Sequence, residues 1–537
     1  MEHKKHILIL GAGLMQRPAI ESAKALGFHA TVIDANPNAA AIPGADRFEQ
    51  IDLKDREAVR DFALVLKQTQ GLDAIFTAGT DFSASVSYAA QGCALPAHSF
   101  EAALNASDKI RMRGCFKKHG VPSPEFFEVD SRTAGAIDAA LSQNLVFPLV
   151  VKPVDNMGAR GCRLARNTAE FRDALNNAAS SSRSGRVVVE EYMEGPEFSV
   201  DALVYNGTLT ICGFADRHIF YPPYFIEMGH TMPSAYPKAD IAALVETFAK
   251  GAAALGLSHG AAKGDLKLTP TGPMIGEIAG RLSGGYMSGW TYPYASDCNL
   301  TAEAIRIAAG EKPARLEARR TPFLTPHPSL FTCYDLPAKR VCAERAWVSI
   351  PGHVREIAGL EDAAKIPNVR DVLPRIRAGD AVTFPRNNVE KCGNIIAVAE
   401  GQEQAAESAL TAVKAVTLRL EPGNPGTERF LAGETAGSEA GFPPDAFPVP
   451  SVVKTALERS LEAAEIPANS PALSHLPECL ALCLDSLRDW NSLTLREAVQ
   501  KFDRLCPQRP ALPAGRFWRA CVRGSVQGML YIADTVV

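Results

Sequence analysis

The segment VVKPVDNMGARGC carries residues that are suited to binding phosphate groups. Lys152 ends an apolar strand, and the loop 155–162 that follows contains Gly158, Arg160 and Gly161. Exposed backbone amides and a cation in such a loop can cover anionic phosphates. A solvated hairpin with an incidental lysine is the alternative, but the elements that follow favour a flap over a nucleotide.

Two glutamates in the next segment, VVVEEYMEGPEF, are suited to binding a nucleoside. Glu190 stands at the end of an apolar strand, and Glu197 follows after a Gly-Pro pair. A carboxylate beside an extended segment can accept a hydrogen bond from an exocyclic amine, and a second acid can hold ribose hydroxyls. Solvated surface charge is the alternative for glutamates at strand ends. With the flap, the pair predicts a pocket for adenosine.

A predicted hairpin, KGDLKLTPTGPMIGEIAG, brings two further acids to neighbouring strands. Asp265 and Glu277 are flanked by apolar residues, and buried acids require a compensating cation. Mg²⁺ supplies one, because it prefers one or two carboxylates together with phosphate oxygens. Arg281 follows the second strand and can stabilise a transferred phosphoryl group or bind a substrate carboxylate. A structural ion pair between an acid and Arg281 is the alternative.

Two other segments bear on the substrate. His230 precedes a turn that contains proline, where it either faces a substrate or is a capped surface histidine. Ser283, Gly284 and Gly285 follow Arg281, and their small side chains permit close approach of a ligand. We expect these three residues on the substrate side of the site.

The turn after the first apolar run resembles a dinucleotide fingerprint only in part. Gly11 and Gly13 flank Ala12, and Asp34 ends the next strand, but Gln16 stands where the third glycine is required. NAD binding is therefore disfavoured. A tight turn beside a substrate cleft is the favoured interpretation.

The order of these motifs across residues 107–310 resembles the ATP-grasp superfamily. The similarity is to carboxylate–amine ligases and their relatives, namely biotin carboxylase, carbamoyl phosphate synthase and L-amino acid ligases. It implies ATP as cosubstrate, with the 155–162 flap folded over its phosphates. The implied nucleotide contacts are Lys109 and Lys152 for phosphates, Glu190 with the backbone of Glu191, Tyr192 and Met193 for adenine, and Glu197 for ribose.

The resemblance also implies that Asp265 and Glu277 bind Mg²⁺, or Mn²⁺ in its place. Arg281 would lie near the transferred phosphate, with Lys152 and His230 as further catalytic residues. The family commonly has Asn two residues after the second acidic ligand, and here that residue is Ala279. One oxygen ligand for a second metal ion is thereby missing, so the number of metal ions stays open.

The resemblance predicts an ADP-forming ligase that joins a carboxylate to an amine, or to a thiol-type nucleophile, through an acyl phosphate. Small amino-acid-like metabolites are the expected substrates, and a homodimer is expected for the family. Two alternatives remain. One is carbamoyl-phosphate-synthase-like or biotin-carboxylase-like chemistry through carboxyphosphate, and the other is an ATP-binding protein without turnover.

The elements that must position these residues indicate a mixed α/β and α+β protein of several domains. A βαβ pattern predicts a Rossmann-like domain over residues 1–106 that precedes an ATP-grasp domain over residues 107–310. Residues 311–420 are predicted to form a lid or subdomain of that fold. The Pro- and Gly-rich residues 421–450 are predicted to be a linker, and residues 451–537 a helical appendage.

Composition limits the other partners. A formal net charge of −4 over 537 residues, without a block of Lys or Arg, argues against nucleic acid. The first apolar run, residues 7–10, is too short for a signal peptide or a spanning helix. Twelve scattered cysteines are typical of reduced thiols. We therefore expect no membrane partner and a cytoplasmic location.

Overall fold

The computed structural model describes residues 4–323, 331–434, 441–460 and 464–536. The chain forms two units. The first comprises Met1–His218, His230–Cys342 and Val398–Gln402, and the second comprises Ile219–Gly229, Ala343–Ala397 and Glu403–Val537. Parallel and antiparallel sheets are both present with helices against them, which confirms the predicted α/β and α+β fold class.

The first unit begins with a parallel four-stranded sheet in the order β3-β2-β1-β4. All five residues of β1 are buried, because strands of a parallel sheet are covered by helices on both faces. The elements are β1 His6–Leu10, α1 Arg17–Ala25, β2 His29–Asp34, β3 Arg47–Gln50, α2 Arg56–Gln70, β4 Ala74–Phe76, α3 Ser83–Gly92 and α4 Phe100–Asn105. The βαβ pattern predicted from the sequence is therefore correct.

The glycine turn after β1 is filled by its own side chains. Gln16 is buried and accepts a hydrogen bond from Gly13 N (3.0 Å), while its amide donates to Ala78 O (2.6 Å). Asp34 accepts a hydrogen bond from Ala12 N at 2.8 Å. These contacts make the segment a tight structural turn.

The next part of the first unit is an antiparallel sheet in the order β5-β8-β6-β7, with α7 packed on one face. Its apolar core includes Val151, Phe171, Leu175 and Val189. The elements are α5 Lys109–Lys118, β5 Phe126–Asp130, α6 Ala136–Leu141, β6 Leu149–Pro153, β7 Arg163–Ala165, α7 Thr168–Ser181 and β8 Arg186–Glu191.

A second antiparallel sheet of this unit runs in the order β13-β12-β9-β10 and packs against α8. Gly264 in β12 lies against the ring of Phe248, where a Cβ atom would come within 2.6 Å of the ring. The elements are β9 Glu197–Tyr205, β10 Thr208–Phe220, β11 Ile226–Met232, α8 Lys238–Leu255, β12 Gly260–Thr269, β13 Gly272–Ala279, a π-helix Met287–Thr291, α9 Tyr292–Ser296, α10 Leu300–Ala308, α11 Ala314–Glu317, β14 Thr321–Pro322 and β15 Thr332–Asp335.

The second unit combines the strand orders β16-β20-β18 and β19-β17-β21 with several helices. Its elements are β16 Val341–Trp347, β17 Gly352–Ala358, α12 Leu360–Lys365, β18 Val369–Pro374, β19 Ala381–Val382, β20 Gly393–Ala399, α13 Gln402–Ala415, β21 Thr417–Leu420, α14 Pro425–Ala432, α15 Ser451–Ser460, β22 Glu465–Ile466, α16 Leu495–Leu505, β23 Leu512–Pro513 and α17 Ala514–Val536. Thr494 and Glu497 form a capping box at the start of α16.

The prediction of a linker over residues 421–450 is wrong for most of that segment. Residues 425–432 form α14, and Phe430, Phe442 and Phe447 are all buried in the second unit. The Pro and Gly content suggested a chain without a core, but aromatic residues placed among them bury enough apolar surface to order it. Residues 435–440 lie outside the described residues.

The tail, residues 451–537, is part of a shared core rather than a separate appendage. Ile350 and Leu420 belong to the same apolar cluster as Phe502, Phe517 and many other residues of the tail. The boundary predicted at residue 310 also differs from the structure, because β15 pairs with β10 and residues up to 342 belong to the first unit.

No helix in the described ranges combines the length and apolar character needed to cross a bilayer.

Phe447→Ala tests the order of the former linker. Phe447 is fully buried, so its truncation should lower the free energy of unfolding by about 3–5 kcal/mol. Val452→Ala changes an exposed side chain nearby and is the matched control. Urea denaturation followed by circular dichroism measures both, and equal midpoints for Phe447→Ala and wild type would restore the linker.

Candidate nucleotide and substrate site

The loop 155–162 is built as a flap with an anchored base. Asp155 accepts hydrogen bonds from Ser182 Oγ (2.9 Å) and from the backbone of Arg183 (3.0 Å) and Ser184 (2.8 Å). Asn156 donates to Ser181 O at 2.9 Å. The base of the loop is therefore fixed against the end of α7.

The upper part of the flap depends on left-handed backbone conformations. Gly158 and Gly161 have φ angles of 66° and 72°, which glycine adopts without strain. Ala159 between them has a φ of 60°. A Cβ atom on Gly161 would lie 2.6 Å from Ser181 Cβ. Arg160 is exposed and donates to the side chain of Asn156 at 3.0 Å. The predicted flap residues thus share one loop, with the cation on its outside.

Lys109 connects the start of α5 to the flap. Asp108 caps the helix by accepting hydrogen bonds from Ile110 N and Arg111 N. Lys109 Nζ donates to Asn156 O at 2.8 Å and lies 4.0 Å from Glu277 Oε2. A buried ammonium therefore lies between the flap and the acidic hairpin.

Glu190 is held between two cations. Its carboxylate lies 2.7 Å from Lys152 Nζ and accepts a hydrogen bond from Arg113 Nε at 2.9 Å. Burial raises the pKa of Glu190, but Arg113 and Lys152 outweigh it and hold the pKa below its usual range. Arg113 also donates to Gly276 O at 2.6 Å. The surface-charge alternative for Glu190 is excluded, and the carboxylate is engaged by cations rather than turned toward an adenine.

Residues 191–193, which are expected to contact adenine, already use part of their backbone for hydrogen bonds within the protein. Glu191 N donates to Glu125 O at 3.1 Å, and Tyr192 N donates to Pro148 O at 3.3 Å. Met193 O accepts a hydrogen bond from Lys267 Nζ at 3.0 Å. The two bonded amides cannot read a base edge, which restricts the adenine prediction to the carbonyls and to Met193.

Glu197, the predicted ribose ligand, lies in a network of charges on neighbouring strands. Arg217 Nη1 lies 2.6 Å from Glu197 and 2.9 Å from Asp265, and Lys267 Nζ lies 3.8 Å from Glu197. Both acids are therefore ion-paired before any ligand is considered. A bound nucleotide has to exchange some of these contacts.

Asp265 and Glu277 are directly opposite each other on β12 and β13, as predicted. Lys263, two residues before Asp265, contacts the Asp265 carboxylate and is opposite Ala279 in the same register. Where the family commonly has an amide ligand, this chain has a methyl group facing a lysine. Two carboxylates on one sheet face suit a hard cation such as Mg²⁺, although Asp265 already has two cationic partners.

The charges around Glu277 favour its ionised form. Burial raises its pKa, but four cations outweigh that effect and lower the pKa to about 2. In decreasing order of effect they are Lys109, Lys263, Lys152 and Arg281. At neutral pH this carboxylate is an anion at the centre of a cationic cluster, which is the environment that a polyphosphate also requires.

Arg281 is a buried cation without an acidic partner. It is 7% exposed, and Nη1 donates to Leu282 O at 3.0 Å. Among the residues that the structure describes, no carboxylate lies within ion-pair distance of Arg281, and Nε has no hydrogen-bond partner. The structural ion pair considered above is therefore absent, and Arg281 can bind an anionic ligand.

The turn after Arg281 is fixed by a buried aspartate that the sequence did not reveal. Asp201 accepts hydrogen bonds from Ser283 N (3.1 Å) and from Ser283 Oγ. Burial raises the pKa of Asp201 to about 6, although the hydrogen bonds from Ser283 lower it in part. Ser283 therefore positions the turn through Asp201, and its hydroxyl is already engaged.

Gly284 lies against the front of the first unit. A Cβ atom on Gly284 would come within 3.4 Å of Gly79, which itself has a φ of 64°. Gly79 N donates to Leu282 O at 3.2 Å. Gly285 follows with a φ of 63°. The substrate-side residues thus form a close-packed turn beside the loop after β4.

His230 is buried, so the surface alternative is wrong. It lies in β11, and Nε2 shares a hydrogen bond with Thr291 Oγ1 at 2.8 Å. Thr291 ends the π-helix that follows the 282–285 turn. His230 is thereby linked to the substrate-side segment and not to the flap.

Several residues of this site were missed by the sequence analysis. Arg113 follows the predicted Lys109 by one helical turn, and Lys263 and Lys267 alternate with the predicted Asp265 along β12. Their spacing from predicted residues was therefore a signal that could have identified them. Asp81 had none. Burial raises its pKa, while Arg281 and Lys109 oppose the shift.

Comparison with known proteins gives one family match within each unit. Residues 145–289 match the ATP-grasp domain, and residues 346–421 match the L-amino acid ligase C-terminal domain 2. The L-amino acid ligase from Bacillus licheniformis has a similar fold, with a TM-score of 0.66 at 20% identity over 78% of this chain and 100% of that chain.

Curated relatives match over different shares of their length. The uncharacterized protein y4rH of Sinorhizobium fredii is 25% identical over 425 residues, which cover 78% of this chain and 84% of that protein. Carnosine synthase 1 of Gallus gallus is 27% identical over 341 residues, which cover 59% of this chain and 36% of that protein. The match therefore spans about a third of that synthase.

Glu190→Gln tests the buried ion pairs. The change leaves Lys152 and Arg113 without a full counter-charge, so the free energy of unfolding should fall by about 3–5 kcal/mol. Urea denaturation measures it, with the exposed Glu194→Gln as the matched control. An unchanged midpoint would show that the carboxylate does not hold these cations.

Asp201→Asn tests the buried carboxyl beneath the substrate-side turn. Since the pKa of Asp201 is raised from 3.8 to about 6 on folding, its contribution to stability is present at low pH and is lost as pH rises through that window. The free energy of unfolding of wild type relative to Asp201→Asn should fall across it, by roughly 1.4 kcal/mol per unit of pKa difference.

Urea denaturation at pH values that span this window measures the difference. Asp138→Asn, which changes an exposed carboxyl, is the matched control. A difference between wild type and Asp201→Asn that stays constant across the window would contradict the raised pKa.

Proposed function

We propose that this chain is an ADP-forming ligase of the ATP-grasp type, which activates a small amino-acid-like carboxylate and joins it to an amine. The ATP-grasp domain and the L-amino acid ligase C-terminal domain 2 support the reaction class. The names of the matched relatives, an L-amino acid ligase and a carnosine synthase, favour amino-acid-like substrates.

The observation that carries this proposal is the buried guanidinium of Arg281, which has no carboxylate within ion-pair distance among the described residues. A buried cation without a carboxylate partner is costly unless a ligand supplies the negative charge. The position beside the Glu277 cluster and directly before the 282–285 turn suits an anion shared by nucleotide and substrate. A transferred phosphoryl group or a substrate carboxylate meets this requirement.

The proposed reaction has two steps. A carboxylate oxygen of the acid attacks the γ-phosphorus of ATP, and the bond from that phosphorus to the β–γ bridging oxygen breaks. ADP departs, and the acid becomes an acyl phosphate. The amine nitrogen then attacks the acyl carbon, the carbon–oxygen bond to phosphate breaks, and the amine loses a proton. No protein nucleophile takes part, so catalysis rests on positioning and electrostatics.

Lys109, Lys152 and the flap are proposed to bind the phosphates. Lys109 already joins the flap to the Glu277 cluster, so phosphates placed there contact both. A closed flap excludes water, which protects an acyl phosphate from hydrolysis. Lys152 would divide its charge between Glu190 and the nucleotide.

Mg²⁺ would be held by Glu277 and Asp265, where it supplies charge neutralisation for the phosphates. The carboxylates fit this role because they share one sheet face at opposed positions. Ala279 adds no oxygen ligand, while Lys263 places a positive charge on Asp265. The number of bound ions, one or two, follows from the competition between Lys263 and a second cation for the Asp265 carboxylate.

The 282–285 turn and His230 are proposed to face the acid and the amine. Asp201 fixes the turn, and Thr291 connects His230 to the segment that follows it. A compact turn of small residues leaves its backbone amides close to a ligand. A homodimer and a cytoplasmic location remain predictions.

The test of the proposal is acid-dependent ADP formation. The protein is incubated with Mg-ATP and pairwise combinations of amino acids, and products are identified by mass. We expect ADP together with a dipeptide-like product for at least one pair. ADP that depends on bicarbonate alone would indicate carboxyphosphate chemistry, and absence of acid-dependent ADP would indicate a nucleotide-binding protein without turnover.

Arg281→Met should lower kcat by about 10²–10³-fold, as expected when one donor that stabilises developing charge is removed. The active substrate pair from the panel provides the assay. Lys250→Met removes a cation that pairs with Glu246 on α8 and is the matched control. Equal turnover in Arg281→Met and wild type would remove Arg281 from the mechanism.

A further inference from the structure

The second unit contains a cavity of about 40 Å³ whose polar wall is not used by the proposed reaction. Trp347, Trp490, Asn491, Lys501 and Ser525 contribute to its lining. They come from the end of β16, the loop before α16, α16 itself and the middle of α17. These four separate stretches of the second unit thus meet at one small polar space.

Three polar atoms at this cavity have no protein partner. Within the part of the chain that the structure describes, Trp347 Nε1, Trp490 Nε1 and Asn491 Oδ1 are buried without a hydrogen bond. Trp347 is 2% exposed, and its ring packs so closely on Gly393 that a Cβ atom there would collide with it. Buried polar groups in proteins are normally hydrogen-bonded. Two residues that line the cavity therefore carry an indole N–H without an acceptor among the described residues.

Lys501 adds a positive charge to the same wall. Its ammonium donates to two neutral groups, Lys414 O (2.6 Å) and Val416 O (2.9 Å). No carboxylate of the described residues pairs with it at ion-pair distance. Burial lowers the pKa of Lys501 to about 8, and nearby Asp489 opposes the shift. One N–H of the ammonium is left for a further acceptor.

Asp489 does not accept a hydrogen bond from Lys501, whose acceptors are Lys414 O and Val416 O. Oδ1 accepts hydrogen bonds from Asn491 N (2.8 Å) and Leu493 N (2.9 Å), and Oδ2 accepts one from Ser525 Oγ. The acid therefore organises the loop before α16 and the wall formed by α17. The unpaired groups of the cavity remain two indole donors, an ammonium and one amide oxygen.

The wall at Ser525 holds a strained backbone conformation. Its φ of 50° and ψ of −140° interrupt the helical geometry of α17, in a region that glycine alone adopts easily. Strain of this kind costs about 1–3 kcal/mol and occurs where ligands are clamped. The Ser525–Asp489 hydrogen bond holds the interruption at the cavity, and residues 524–527 line it.

We propose that this cavity is a binding site for a small oxyanion, either a carboxylate or a phosphate group. Two fixed indole donors and a lysine ammonium are complementary to an anion with several acceptor oxygens. Since each water requires roughly 10–15 Å³ of such space, the cavity holds about three waters or an oxyanion of similar size. This binding site is separate from the proposed ligase reaction, because the residues that line the cavity take no part in that reaction.

Indole NMR of the full-length protein tests this site directly. The chain has four tryptophans, so ¹⁵N-labelled indoles give four N–H signals, and Trp347→Phe, Trp490→Phe and Trp518→Phe assign three of them. Separate titrations use sodium acetate and sodium phosphate, with sodium chloride at matched ionic strength. We expect the Trp347 and Trp490 signals to move with one shared Kd for acetate, for phosphate or for both, which distinguishes the two sources.

Trp518 is the internal control, because its indole is also buried without a partner among the described residues but does not line the cavity. Lys501→Met should weaken the affinity at least about tenfold, as expected for a lost charge-assisted hydrogen bond, whereas the exposed Lys365→Met should not. The proposal is overturned if neither oxyanion moves the two signals, if chloride moves them equally, or if Lys501→Met leaves Kd unchanged. The wild-type titration decides alone should Lys501→Met not fold.

Discussion

The proposed nucleotide site depends on one buried carboxylate, Glu190, held between Lys152 and Arg113. This arrangement joins β8 to β6 and α5, and Arg113 extends it to β13 through Gly276 O. Removing any one partner leaves a buried charge uncompensated, so the three form as a set. Because Lys152 is positioned by this contact, the protein presents an ordered cation to the flap before any ligand arrives.

The same electrostatic logic governs the hairpin of β12 and β13. Glu277 is surrounded by four cations, whereas Arg281 has no acidic partner among the described residues. Lys152, Lys263 and Lys109 have Glu190, Asp265 and Glu277 as ion-pair partners, so Arg281 is the cation of this cluster that is left to attract an anionic group. Ala279 opposite Lys263 continues the pattern, since an alanine beside a lysine stands where the resemblance leads one to expect a metal-binding amide.

The sequence predicted those features that local order encodes. The strand before Lys152, the glycine flap, and the opposed pair Asp265 and Glu277 follow from residue spacing, and the structure has all three. Asp201 and Asp81 could not be found this way, because their burial depends on strands and loops that are distant in sequence. Phe447 shows the opposite error. A Pro- and Gly-rich composition predicted disorder, while a few aromatic residues and the surface offered by α17 determined the outcome.

The shared core of the second unit also constrains how the chain matures on the ribosome. Domains generally fold as units during synthesis, starting with N-terminal ones. Here Ile350 and Leu420 share their core with Phe517 and other residues of α17, which emerges long after them. Ile350 and Leu420 therefore lack this part of their core until α17 has been synthesised. Apolar surface that is exposed in an incompletely folded chain is prone to aggregation.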